Sequence, residues 1–114
     1  ENYGTEQEHL NNVFGARLRI TSLQAAAGPG IEFLEYVAPR DGRPRPPDAR
    51  PNDVLHWQTR LVTPNAEKAT QYVRKGPSSF ISPGVVATTD GRIGFKKAIL
   101  VQDPDGHAIQ LVEE

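Results

Sequence analysis

Cysteine and methionine are both absent from this 114-residue chain, and tryptophan occurs only once. Without cysteine there is no disulfide, no thiolate metal ligand and no thiol nucleophile, a usage that fits a cytoplasmic protein. Translation starts at a methionine, so residues upstream of Glu1 are expected to have been removed or to lie outside this sequence. Charge of one sign is lacking too. Thirteen basic side chains face fourteen acidic ones, for a net charge of −1. Such a chain has no electrostatic footprint for nucleic acid or an anionic membrane. No apolar run approaches the roughly 20 residues that span a bilayer, and no segment reads as a secretory leader. The length suits one domain, or two small modules sharing a core.

Proline, by contrast, is plentiful and unevenly placed. Five of the ten prolines (Pro39, Pro44, Pro46, Pro47, Pro51) fall in the stretch 38–53, interleaved with Arg40, Arg43, Arg45 and Arg50. Proline removes backbone donors and restricts the residue before it, so 39–53 reads as an extended linker. On either side the chain divides into 1–38 and 54–114.

The later part has a legible order. Residues 54–62 read as a strand, with His56, Gln58 and Arg60 on one face and Leu55, Trp57, Thr59 and Leu61 on the other. Thr63 is placed to cap a helix, Pro64 suits its first turn and Gly76 its end. Between them Ala66, Ala69, Tyr72 and Val73 fall near helical spacing, as an apolar stripe for a sheet face. Strands follow near 79–88 and 95–102, separated by the turn Asp90-Gly91. Asp103-Pro104-Asp105-Gly106 then turns the chain into a last strand, with proline at the second position and glycine at the fourth. The predicted order is β-α-β-β-β.

Part of that order is foreshadowed near the start. Gly30-Ile31-Glu32-Phe33-Leu34-Glu35-Tyr36 aligns with Ala108-Ile109-Gln110-Leu111-Val112-Glu113-Glu114 at an offset of 78 residues (110 minus 32). Both are alternating runs after a glycine-containing turn, the pattern of a hairpin's closing strand. The same offset carries the counterparts of His56 and of the helix upstream of Glu1. The chain therefore reads as one and a half modules: an N-terminally truncated first module, then a complete second one.

A repeated β-α-β-β-β module with a histidine in its first strand, ending in Asp-Pro-Asp-Gly-His-x-Ile-x-Leu, resembles the vicinal oxygen chelate superfamily. That superfamily includes glyoxalase I, extradiol dioxygenases, fosfomycin-resistance proteins and bleomycin-binding proteins. The resemblance covers 53–114 and, more weakly, 15–39. It implies an α+β fold in which paired βαβββ modules form a curved mixed sheet around a concave site. In catalytic members the site holds one divalent metal, bound by the first and last strand of each module. Transferred to this chain, the resemblance implies His56, Glu32 and Gln110 as ligand positions, with Glu32 doubling as general base. Imidazole and carboxylate with open coordination positions suit Zn, Fe, Mn, Co or Ni. Such a metal would act as a Lewis acid on adjacent substrate oxygens in a lyase, isomerase or dioxygenase reaction.

Strand alternation predicts that Ile31 and Phe33, like Ile109 and Leu111, face a core, leaving Glu32, Tyr36 and Gln110 toward the pocket. Arg17, Arg19, Tyr36, Gln58 and Arg60 are then candidates for substrate binding. Against the metal stands Gln110 itself, a neutral amide where a carboxylate is expected. The alternative is a metal-free, drug-sequestering binding protein of the bleomycin-resistance type. The structural alternatives are a salt bridge from Glu32 to Arg17, Arg19 or Arg60, and a Trp57 buried in the core. His107 is read as trimming the hairpin. A truncated first module would leave an exposed edge and an uncovered apolar face, so a homodimer, or association with the missing N-terminal segment, is expected.

Overall fold

Alternation of apolar and charged residues along 17–23 and 31–38 builds a twisted hairpin with one side chain set on each face. In the computed structural model, which describes residues 1–114, the strands Asn2–Tyr3 (β1), Arg17–Leu23 (β2) and Ile31–Ala38 (β3) form an antiparallel sheet in the order β1-β2-β3. A short helix, Thr5–Asn11 (α1), joins the first two strands. It stops at Asn12, whose left-handed φ of 53° lets its N–H return to the Glu8 carbonyl. These elements belong to the unit Glu1–Pro44, and the remainder, Arg45–Glu114, is a second unit. The boundary falls within the proline-rich stretch.

In the second unit Gln58–Val62 (β4), Ser79–Phe80 (β5), Val86–Ala87 (β6), Lys97–Gln102 (β7) and Ala108–Glu113 (β8) form a mixed sheet. Its order is β4-β8-β7-β5, with β6 also on β7. β4 runs parallel to β8, and the other pairs are antiparallel. The fold is α+β, with two helices and two sheets.

Helix Ala66–Val73 (α2) covers one face of this second sheet. Its cap is Asn65 rather than Thr63: the Asn65 Oδ1 accepts the Lys68 N–H at 2.7 Å. Ala69 and Val73 pack onto Ile99, Val101 and Leu111, together with Leu61, Phe80 and Ile109. Ile109 and Leu111 thus face the helix, as alternation predicts. The expected strand 79–88 is broken in two. Ile81 and Ser82 both donate to the Leu100 carbonyl, each at 3.0 Å, a bulge after which Pro83 cannot continue the ladder.

The turn before β8 is built as its residue types predict. Asp103 Oδ1 accepts the His107 N–H at 2.8 Å, and Gly106 takes a φ of 93° that an L side chain resists.

The two hairpins share one register. Ser22 lies opposite Glu32 as Leu100 lies opposite Gln110, and Thr21–Phe33 corresponds to Ile99–Leu111. Arg19–Glu35 corresponds to Lys97–Glu113, and Leu23–Ile31 to Val101–Ile109. Every one of these pairs keeps the 78-residue offset on both strands, so the β2–β3 and β7–β8 hairpins match without insertion.

Candidate functional site

The face of the second sheet opposite α2 carries the candidate site; Ala98, Ala108 and Val112 on this face are buried, whereas Gln110 is only half-buried. The ladder places Gln110 between Arg60 on β4 and Leu100 on β7. Adjacent strands keep ladder partners on one face, so Arg60, Gln110, Leu100 and Ala98 share a surface. Above it lies the segment joining β6 to β7, bent at the 3₁₀ turn Gly91–Ile93. Gly94 ends that turn in the left-handed region, at a φ of 73°. Ile93 and Phe95 flank it and form a roof. The resulting groove has a volume of about 480 Å³ and is lined by Val86, Ile93, Phe95, Ala98, Leu100 and Gln110, among others.

Arg60 holds this roof. Its guanidinium donates to the Gly94 carbonyl at 2.7 Å and lies over the Phe95 ring, 5.3 Å from the centroid. It also stands 4.0 Å from the Glu114 carboxylate. Asp90 braces the base of the same turn by accepting the Arg92 N–H and pairing with its guanidinium at 2.7 Å. That pairing holds the exposed Asp90 carboxyl below its ordinary range.

The groove is mostly apolar, and its polar groups differ in availability. The Ser82 hydroxyl accepts the Leu100 N–H at 2.9 Å, and the Thr88 hydroxyl accepts the Asp90 N–H at 3.1 Å. The Gln102 amide, next on the same strand face as Leu100, donates to the Gly106 carbonyl at 2.9 Å. The Gln110 amide bonds no protein group and is half-buried in the groove. It offers a donor and an acceptor to whatever enters.

His56 is a correction to the sequence reading. It lies ahead of β4, not on it: β4 starts at Gln58, and the His56 N–H closes a turn onto the Asp53 carbonyl at 3.0 Å. Two local forces explain this. The Asp53 carboxylate accepts the Arg50 N–H at 2.7 Å, a side chain–backbone bond that favours a turn over a ladder. On the partner strand, Ala108 opposite Gln58 is the first paired residue. Before it the chain is committed to the Asp103 turn, so nothing is there for residues 54–57 to pair with. Trp57 is not in the core either. It is 58% exposed and stacks on His107, with centroids 4.7 Å apart and planes at 29°. His107 also bonds Asp103 through Nδ1 at 2.9 Å, so it does trim the hairpin. Burial works against the Asp103 charge, but donation from the His107 backbone and ring leaves its carboxyl below the ordinary range.

In the first unit Glu32 lies on the face of Ser22, Leu34 and Tyr36 and is exposed, accepting only from the Ser22 hydroxyl at 3.2 Å. None of the anticipated arginines pairs with it. Arg17 binds Glu1 at 2.6 Å and Arg19 binds Glu35 at 2.7 Å. Phe33 does not face a core, being 50% exposed, whereas the fully buried Leu18 sits on the Glu32 face. Arg19, opposite Glu35, and Tyr36, opposite Leu18, lie on different faces of this sheet, and a register shift between Arg17 and Leu18 sets Arg17 opposite Ala38. Arg17 and Tyr36 line separate cavities within the unit. Gln58 and Arg60 share a face of β4 in the second unit, where Gln58 is exposed.

Within either unit, no three His, Asp or Glu side chains gather as a metal would require. On the face of the second sheet opposite α2 a neutral amide stands beside a guanidinium, a donor set that does not fit a divalent cation. Sequence reasoning missed Ile93 and Phe95. Two large apolar side chains flanking a glycine in a polar loop were the available signal. No helix is long and apolar enough to cross a membrane. No family model, curated protein or solved structure matches the chain.

Proposed function

We propose that this protein binds a small, largely apolar molecule in the groove on the face of its second sheet opposite α2, as a metal-free, drug-sequestering member of the vicinal oxygen chelate superfamily. The observation that carries the reading is the roofed groove with the free Gln110 amide at its floor. Its volume of about 480 Å³ is within the range of small-molecule sites. An apolar lining supplies burial, and one unpaired amide supplies orientation, rewarding a ligand that carries a neutral hydrogen-bonding group. Arg60 is committed to Gly94 and Phe95, so it adds shape more than charge. In the superfamily resemblance Gln110 occupies the last-strand position, which is where a binding protein would contact its ligand.

The test is a fragment screen by amide chemical-shift mapping on the labelled chain, using neutral aromatic amides and the corresponding hydrocarbons. Amides that shift Val86, Phe95, Leu100 and Gln110 together, and bind more weakly to Gln110→Leu, support the reading. A screen that leaves these residues unmoved at millimolar fragment overturns it.

A second reading is a metal-dependent lyase, isomerase or dioxygenase of the same superfamily. It is favoured by the shared register, which gives Glu32 the ladder position that Gln110 has in the second hairpin. Elemental analysis after metal supplementation, with a Glu32→Gln control, decides it: about one equivalent of metal, lost in the variant, would favour the enzyme.

A further inference from the structure

The second hairpin shows what its helix-covered face needs, and the first hairpin carries most of the same equipment with no helix on it. On the second, Glu113 Oε2 accepts the Ala66 N–H at 2.9 Å, satisfying an amide in the first turn of α2. Lys97 pairs with Glu67 of that turn at 2.9 Å and with Glu113 at 3.6 Å. Between these charges and the Asp103 turn lie Ile99, Val101, Ile109 and Leu111, the apolar floor on which α2 rests. The outer edge of β8 is taken by β4, which runs parallel to it and leads into α2.

All of these features but one have a like counterpart at the 78-residue offset; the exception is Ile99, whose place is taken by the polar Thr21. Glu35 corresponds to Glu113 and Arg19 to Lys97, and the two pair at 2.7 Å with both side chains 59% exposed. Leu23, Ile31 and Phe33 correspond to Val101, Ile109 and Leu111. Leu23 and Phe33 are exposed, so this floor is bare. β3 ends its sheet, so the edge that β4 occupies on β8 is open on β3.

The geometry points to a docking surface for a strand–helix polypeptide segment of the β4–α2 kind. Its strand would add parallel to β3, which offers unpaired backbone groups along that edge. Its helix would lie across Leu23, Ile31 and Phe33. The first-turn amides of that helix would meet Glu35, and an acidic residue in the same turn would meet Arg19. Charge complementarity selects the direction of the helix: a reversed helix would set its carbonyl end against Glu35. A second copy of this chain is the weaker occupant, because lending its own β4 and α2 would strip its own second sheet.

The probe is a synthetic peptide spanning His56–Gly76, which contains β4, α2 and Glu67. It is titrated into the labelled full chain and followed by amide shifts. Changes concentrated in β2 and β3, with contacts from the peptide strand to β3, are expected. Phe33 is already half exposed, so Phe33→Glu is tolerated by the fold and weakens binding about ten- to a hundredfold. Arg19→Glu weakens it about two- to fivefold, and a Glu67→Lys peptide restores the loss. No binding at millimolar peptide, or shifts confined to β8 and α2 that ignore Phe33→Glu, would overturn the proposal. So would self-association of the chain through β3 without peptide, which would assign the face to a second copy.

Discussion

Replacing Glu113 by alanine removes the acceptor of a first-turn amide of α2 while leaving the apolar contacts of the helix in place. Glu113 is the only carboxylate against that amide, at 2.9 Å, and its side chain is 22% exposed. A hydrogen bond to a charged acceptor contributes about 1.5–3 kcal/mol, and a carboxylate at a helix N-terminus about 0.3–1 kcal/mol. The lost Lys97 contact adds little, because Lys97 keeps its shorter bond to Glu67. The terms overlap, so the expected loss is about 2 kcal/mol, a fall of about 1 M in urea midpoint for a slope of about 2 kcal/mol/M. The measurement is urea unfolding followed by circular dichroism, read as a shift in midpoint at constant slope. Glu35→Ala is the internal control. It has the same place in its hairpin but caps nothing, and loses only an exposed pair worth about 0–1 kcal/mol. Equal costs for the two variants would refute the assignment of Glu113 to the helix, and with it the docking equivalence drawn for Glu35.

Other consequences follow from the same geometry. Ile99→Ala opens a cavity under α2 and should cost about 2–5 kcal/mol in the same unfolding assay. Arg60→Ala frees the roof of the groove, raising hydrogen exchange at Gly94 about tenfold while Ile99 stays protected. The Glu67 carboxyl is held low by its bond from Lys97, and the Asp103 carboxyl by donation from His107 against the opposing effect of burial. A carboxyl lowered in the folded state stabilises above its unfolded pKa, and that contribution is lost as pH falls through the folded value. Urea midpoints should therefore drop on acidification below the ordinary carboxylate range, less steeply for Asp103→Asn. A midpoint insensitive to acid would remove both pairs from the account.

Much of the fold was legible because it rests on short-range rules. The alternation in 108–113 and 31–38, the Asp-Pro-Asp-Gly turn and the helical stripe of Ala69 and Val73 are each local statements about sterics and burial. The internal repeat also belongs to the sequence, and the matching ladders of β2–β3 and β7–β8 give it physical form. Tertiary pairing decided the rest. Alternation cannot say where a strand begins: β4 starts at Gln58 because β8 offers no partner before Ala108, and this removed His56 from the strand face. Nor can alternation say which face is covered. Ile31 and Phe33 carry the pattern of Ile109 and Leu111, yet only the latter pair has a helix above it. The groove was invisible for a related reason. Its roof is made by Ile93 and Phe95 only because Arg60, 34 residues away from Gly94 in sequence, holds that carbonyl in place. Periodicity reads neighbours along the chain, whereas a roofed site is made by contacts across it.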